Sequence, residues 1–292
     1  MSTYENAIEI SNVSKRYKTF ELDDISFTVP KGCIMGFIGQ NGAGKTTTLQ
    51  SILNICRIDG GEIKLFGLDH VEDEKEIKQR IAVVFDQLPF HDVFKLKDIS
   101  KIFEGLYNGW DNRVFMSYAE RFGLPSDLKI GKFSKGMKMK LQIACALSHN
   151  AELLIMDEPT AGLDPVVRDE VLHIFMEYMQ NGERSVLMSS HITSNLEKIA
   201  DMITFIDDGK VLLSGYRDEI TGSHGILKCS KDEAKNIDPE DIVSIRTNDF
   251  GAEIMVKDRE SAAAKYRNTV IDAAGLDDIM VYYAHRGERE WS

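Results

Sequence analysis

The sequence predicts an α/β fold: a largely parallel sheet with helices on its faces, an antiparallel β subdomain ahead of it, a helical subdomain inserted within it, and a small C-terminal α+β appendage. Three observations predict it. Short apolar runs alternate with amphipathic stretches through about residue 215, the pattern of parallel strands joined by crossover helices. A glycine-rich turn, Gly39 to Thr46, joins the apolar run Cys33 to Ile38 to a helix beginning at Thr46. From Thr221 onward the alternation gives way to a hairpin signal and an alanine-rich helix.

Taken in order, Ile8 to Val13 and Ile25 to Val29 are linked without room for a helix, so they pair as an antiparallel sheet. Cys33 to Ile38, Ala82 to Phe85, Leu153 to Met156 and Val186 to Met188 are the parallel strands. Met202 to Asp207 and Val211 to Ser214 flank Asp208-Gly209, a dipeptide that favours a tight hairpin turn. Between Asp98 and Phe122 the period becomes helical. Ile99, Ile102, Phe103, Leu106 and Tyr107 share one face, and Val114, Phe115, Tyr118, Ala119 and Phe122 share another after the Asn108-Gly109 break. In the appendage, Ile242 to Arg246 and Glu253 to Val256 form a hairpin around Asn248-Asp249-Phe250-Gly251, followed by a helix over Ser261 to Ile271 and a last strand, Ile279 to Tyr283. The division is 1–220, with the helical subdomain at about 92–140, and 221–292.

Composition bounds the function. A chain of 292 residues with 43% hydrophobic content can bury one large core and a small satellite. A net charge of −12, with pI near 5.1, lacks the broad basic footprint of a nucleic-acid binder, and 221–292 itself carries 14 acids against 10 Lys and Arg. Protein partners are therefore expected, and no nucleic acid. Cys33, Cys56, Cys145 and Cys229 have no paired spacing, so they read as reduced thiols, not as a zinc site or disulfide frame. The N-terminus has no secretory pattern, and no run reaches the roughly 18 apolar residues of a membrane span. Action at a membrane would need another chain to supply the span.

Gly39-Gln40-Asn41-Gly42-Ala43-Gly44-Lys45-Thr46 is a complete phosphate-binding loop. Backbone N–H groups leaving the strand curl around phosphate oxygens, and the helix opened by Thr46 and Thr47 adds its positive end. Lys45 reaches the β and γ phosphates of a nucleoside triphosphate, while the Thr46 hydroxyl binds Mg²⁺. The strand Leu153 to Met156 ends in Asp157-Glu158. Asp157 can hold the metal beside Thr46, which leaves Glu158 to orient, or take a proton from, the water attacking the γ-phosphate.

Upstream lies Phe133-Ser134-Lys135-Gly136-Met137, opening a helix through Leu141, Ala144 and Leu147. With this segment the chain resembles the ATP-binding cassette family, the ABC transporter ATPases, whose signature is L-S-G-G-Q. The resemblance covers residues 7 to about 215 in the right order: phosphate loop, helical insert, signature, Asp157-Glu158, Ala161-Gly162-Leu163-Asp164, then Ser189-Ser190-His191. It implies a P-loop NTPase of ABC type, with ATP and Mg²⁺ as ligands. It also implies that Tyr17 stacks on adenine, Asp164 lies in the D-loop and His191 is the switch histidine at the γ-phosphate. Ser134 and Gly136 would then donate to the γ-phosphate held by another subunit, so two complete sites need a homodimer or a related ATPase subunit. A separate transmembrane permease would hold the ATPase at the cytoplasmic face of the membrane.

Two departures from the family pattern stand out. Lys135 and Met137 replace the usual Gly and Gln of the signature. Asp86-Gln87 follows the strand where the family has its Q-loop glutamine, and either residue can fill the slot that senses Mg²⁺ or the attacking water. Ser134 to Lys138, Phe85 to Phe90 and Leu276-Asp277-Asp278-Ile279 resemble ATPases of bacterial ABC-2-type exporters, among them bacitracin-resistance-like, lantibiotic-immunity-like and phenol-soluble-modulin systems. Phe90, Val93 and Phe94 are candidates for contact with the membrane partner, and equally for packing under their own loop. The alternative is a non-transport cassette acting on nucleic acid or the ribosome. Such relatives usually carry long coiled-coil, zinc or tandem-cassette insertions, which this sequence lacks.

Overall fold

The computed structural model describes residues 4–86, 89–180, 182–267 and 269–286. In chain order, β1 (Asn6–Arg16) and β2 (Glu21–Pro30) pair antiparallel with Ile8 opposite Val29 and Ile10 opposite Phe27. β3 (Ile34–Ile38) leads through the glycine-rich turn to α1 (Lys45–Ile52), and β4 (Gly60–Leu65) and β5 (Leu68–Asp69) complete the first sheet in the order β2-β1-β4-β5. β4 escapes a sequence reading because only Ile63 and Leu65 of its residues are buried, too little for an apolar run.

α2 (Glu74–Arg80) and β6 (Ile81–Val84) precede the helical subdomain, α3 (Leu96–Leu106) and α4 (Asn112–Arg121), and then α5 (Lys135–Ala146). The second half of the core is β7 (Leu153–Asp157), α6 (Pro165–Met179), β8 (Ser185–Ser190), α7 (Thr193–Ile199), β9 (Met202–Asp207) and β10 (Lys210–Tyr216). The six-stranded sheet runs β10-β9-β3-β8-β7-β6, parallel from β9 to β6 with β10 antiparallel at the edge. β3 and β8 are buried along their whole length, as expected of strands covered on both faces. Asp208 and Gly209 both take positive φ, 42° and 70°, the backbone of a tight hairpin between β9 and β10. The C-terminal ends of β3, β8 and β7 lie side by side, where ligands bind in open parallel sheets.

The appendage departs from expectation in two places. It consists of α8 (Arg217–Ser223), β11 (Gly225–Cys229), α9 (Lys231–Ala234), β12 (Ile242–Asn248), β13 (Gly251–Val256), α10 (Arg259–Lys265), β14 (Val270–Ala273) and α11 (Leu276–Ala284). The β12–β13 hairpin forms where expected. The helix expected to reach Ile271 stops at Lys265, because Val270 and Ile271 pair with β11 and close the sheet order β12-β13-β11-β14. The strand expected at Ile279 to Tyr283 is helix α11. Leu276, Ile279, Tyr282 and Tyr283 are buried at spacings of three and four while Val281 is exposed, and Asp278 caps the start by accepting from Gly275 N at 3.1 Å.

α11 also fastens the appendage to the core. Tyr283 meets Phe205 edge to face, and Thr193 of α7 hydrogen-bonds Asp277. The appendage keeps a small core of its own around Leu227, Ile254 and Val256. Among the described residues no helix is long and apolar enough to cross a membrane.

Candidate active site

The turn after β3 is built around Lys45. Its side chain is 6% exposed and its ammonium donates to the Gly39 carbonyl at 2.7 Å and the Gln40 carbonyl at 3.1 Å, so the loop is wrapped around its own cation. Gly44, at φ 114°, turns the chain into α1, and a Cβ there would come within 2.7 Å of Leu22 and 2.9 Å of Phe20. Gln40, Asn41, Gly42, Gly44, Lys45, Thr46, Thr47 and Glu158 line a cleft of about 490 Å³ above the loop. Ala43 points inward and is buried; its carbonyl accepts from Gly209 N at 3.0 Å.

The end of β7 closes one wall. The Thr46 hydroxyl donates to Asp157 Oδ2 at 2.9 Å. Strand register places Ser189 of β8 beside Asp157, where its buried hydroxyl donates to Oδ1 at 2.7 Å and accepts from Glu158 N at 3.0 Å. Glu158 takes a left-handed backbone, φ 49°, rare for a side-chain-bearing residue outside turns and sites. Its Oε2 accepts from His191 Nδ1–H at 2.8 Å, and its Oε1 takes no hydrogen bond among the described residues but lies 3.3 Å from the Lys45 ammonium. Lys45, Thr46, Asp157, Glu158 and His191, from three separate stretches of chain, thus form one connected polar group.

Other expected residues lie elsewhere. Ser134 caps α5, accepting from Met137 N at 3.2 Å, and Asp164 caps α6, accepting from Val166 N and Val167 N at 3.1 Å; neither lines the phosphate cleft, nor does Gly136. Asp86 turns away from the cleft toward Lys135, 3.6 Å from its ammonium. Gln87 lies outside the described residues. Tyr17 is about half exposed beneath the Lys15 ammonium, whereas Phe20 is the aromatic ring that lines the cleft. Thr19, Phe20 and Ser189 are residues of the site that a reading of the sequence misses. For Ser189 the signal was its place immediately before Ser190-His191 at a strand end; for Phe20 it was an aromatic just ahead of β2, across the turn from Tyr17.

The donor set suits a hard divalent cation. A hydroxyl and a carboxylate sit together beside the phosphate loop, few enough protein oxygens to leave positions for phosphate and water.

The family model described as ABC transporter matches residues 22–161. The bacitracin transport ATP-binding protein BcrA of Bacillus licheniformis is 34% identical over 208 residues, covering 70% of this chain and 68% of its own length. The chain belongs to the ABC transporter ATP-binding family. It is an ATP-binding and ATP-hydrolysing subunit. A solved structure of an ATP-binding subunit of an ABC transporter matches with TM-score 0.68 and 26% identity, over 74% of this chain and 92% of the other. A cassette solved as a dimer in a post-hydrolysis state with ADP and Pi shares the fold, with TM-score 0.64 and 21% identity over 72% of this chain and 98% of the other.

Proposed function

We propose that two copies of this chain, or this chain and a related ATPase subunit, close face to face around two ATP molecules and so drive export through a separate membrane protein at the cytoplasmic face. One observation carries the reading: the polar group at Lys45 is fully assembled within one chain, while the serine-bearing tip of α5 stands outside that cleft. In this reading the tip of a second subunit's α5 supplies further donors to the γ-phosphate. The solved dimeric cassette of the same fold supports that arrangement, and the transport named for BcrA supports export.

In this reading Phe20 or Tyr17 stacks on the base, and Gly39 to Thr47 wrap the phosphates with backbone N–H groups. Lys45 exchanges its loop carbonyls for phosphate oxygens. Thr46 and Asp157 hold Mg²⁺, which when bound offsets the charge of the triphosphate. Glu158 orients the attacking water and accepts its proton, held by His191 on one oxygen while the other remains free of hydrogen bonds. Ser134 and Gly136 complete the partner's site at a helix N-terminus, with Asp164 in the loop beside them.

The membrane partner docks on the segment after β6 around Phe90, Val93 and Phe94, where Val93 is exposed and Phe90 packs on Phe103. Residues 221–292 form a second domain whose α11 braces α7. Deleting that domain and measuring dimer formation and ATPase rate tests a regulatory or dimer-stabilising role; no change in either refutes it.

Glu158→Gln tests the central claim. The variant is expected to bind ATP, turn over at least about a hundredfold more slowly and run as an ATP-dependent dimer in size-exclusion chromatography. Brisk hydrolysis by the variant, or a monomer in saturating ATP, contradicts it.

A further inference from the structure

The two departures from the family pattern meet in space. Lys135 is the first residue of α5, where the helix's own N–H groups make a positive end that disfavours a cation. Asp86 follows Phe85, which borders the crevice beside Thr46 and Asp157, a poor place for an anion once a triphosphate arrives. Each charge is misplaced alone. Together they form an ion pair, Nζ to Oδ1 at 3.6 Å, with both side chains about half exposed. The Lys135 amine also rests against the loop before α6: a Cβ on Gly162 would come within 3.0 Å of Nζ, so glycine leaves the space the amine occupies. The two ends of the pair belong to elements already joined, because the buried Gln142 of α5 accepts from Phe85 N at 3.1 Å and donates to Phe85 O at 3.0 Å.

We propose that Lys135 is a phosphate-binding cation held in reserve by Asp86: when two subunits close, its ammonium leaves Asp86 and joins Ser134 on the γ-phosphate of the ATP bound by the second copy. The inference rests on the dimer reading above. An exposed pair at this distance is weak and readily exchanged, whereas a triphosphate oxygen in a closing, water-poor interface offers a stronger, charge-assisted contact. Asp86 keeps the cation from burdening the helix end while the subunits are apart. Its release on closure carries the arrival of nucleotide in one subunit to the segment after β6 of the other.

The test uses the full chain carrying Glu158→Gln, with ATP-driven dimerisation followed by sedimentation velocity and ATP affinity of the dilute monomer followed with a fluorescent ATP analogue. Adding Lys135→Ala is expected to raise the protein concentration for half-dimerisation about tenfold and to leave monomer affinity as in the parent, with Lys135→Arg close to the parent. Adding Asp86→Asn is expected to lower that midpoint a few-fold, and the double change to match Lys135→Ala alone. An unmoved midpoint in Lys135→Ala, an equal loss of monomer affinity, or an Asp86→Asn effect that persists without Lys135 overturns the proposal. If the parent itself stays monomeric in ATP, the dimer reading fails and this inference fails with it; a parent that dimerises while Lys135→Ala is indistinguishable from it sinks the inference alone.

Discussion

The phosphate cleft and the tip of α5 are built on opposite plans. In the cleft, Lys45, Thr46, Asp157, Ser189, Glu158 and His191 bind one another across three strand ends, so each side chain is fixed before any ligand arrives. At the tip, among the described residues, Ser134 accepts from an N–H of its own helix and Lys135 pairs with an exposed carboxylate. The difference teaches where the chain is complete and where it waits for a second surface. On the proposed function, the preorganised cleft binds nucleotide alone, and the tip with loosely committed donors becomes useful when a second subunit's nucleotide is brought to it.

That contrast yields outcomes of decreasing size. Lys45→Ala removes a charge-assisted phosphate contact of about 1.5–3 kcal/mol, so ATP affinity in a fluorescent titration should fall roughly 10- to 150-fold; unchanged affinity would break the cleft side of the comparison. Ser134→Ala should leave monomer affinity alone and lower kcat by about tenfold or more. The lost helix cap also costs about 1 kcal/mol of stability, visible as a lower Tm. A fall in monomer affinity as large as that of Lys45→Ala would place the tip in its own chain's cleft.

Phe20→Ala should weaken ATP several-fold, by roughly 0.5–1.5 kcal/mol, and more than Tyr17→Ala does. The reverse order, read in the same titration, would return the base to Tyr17.

The smallest expected effect lies outside both regions. Burial holds His149, behind the helical subdomain, and His224, at the appendage, below the usual 6.5. The folded state therefore keeps both neutral, while the unfolded chain takes up protons as pH drops below about 6.5. Their contribution is complete above that pH and is lost as pH falls through it toward their folded values. Urea midpoints should decline from pH 7.5 to 5.5, and replacing His224 with Gln should flatten part of the slope. Because neither histidine touches the cleft, a parallel loss of nucleotide affinity over that range would point to a different group.

Much of the cleft was legible because its constraints are local. A loop that must curl around phosphate needs glycines at fixed intervals, a lysine and a hydroxyl, and these sit in eight consecutive residues between a strand and a helix. Asp157-Glu158 was legible for a similar reason, as acids at the end of an apolar strand. Ser189 was not, because its role comes from the register of β8 on β7. The appendage was harder still. Val270 and Ile271 sit beyond an alanine-rich helix and become a strand only through pairing with β11, and α11 shows its helical period only when its buried face is seen against α7.

The sequence by itself determined the fold class, the nucleotide and the order of the chemical motifs, since each depends on residue types at short spacing. Tertiary structure decided which of these side chains touch. It joined Glu158 to both Lys45 and His191, put Phe20 in the cleft, and turned the unusual Asp86 and Lys135 into one pair. The physical reason is distance along the chain: contacts between residues dozens of positions apart depend on how strands align and helices pack, and no local pattern encodes that.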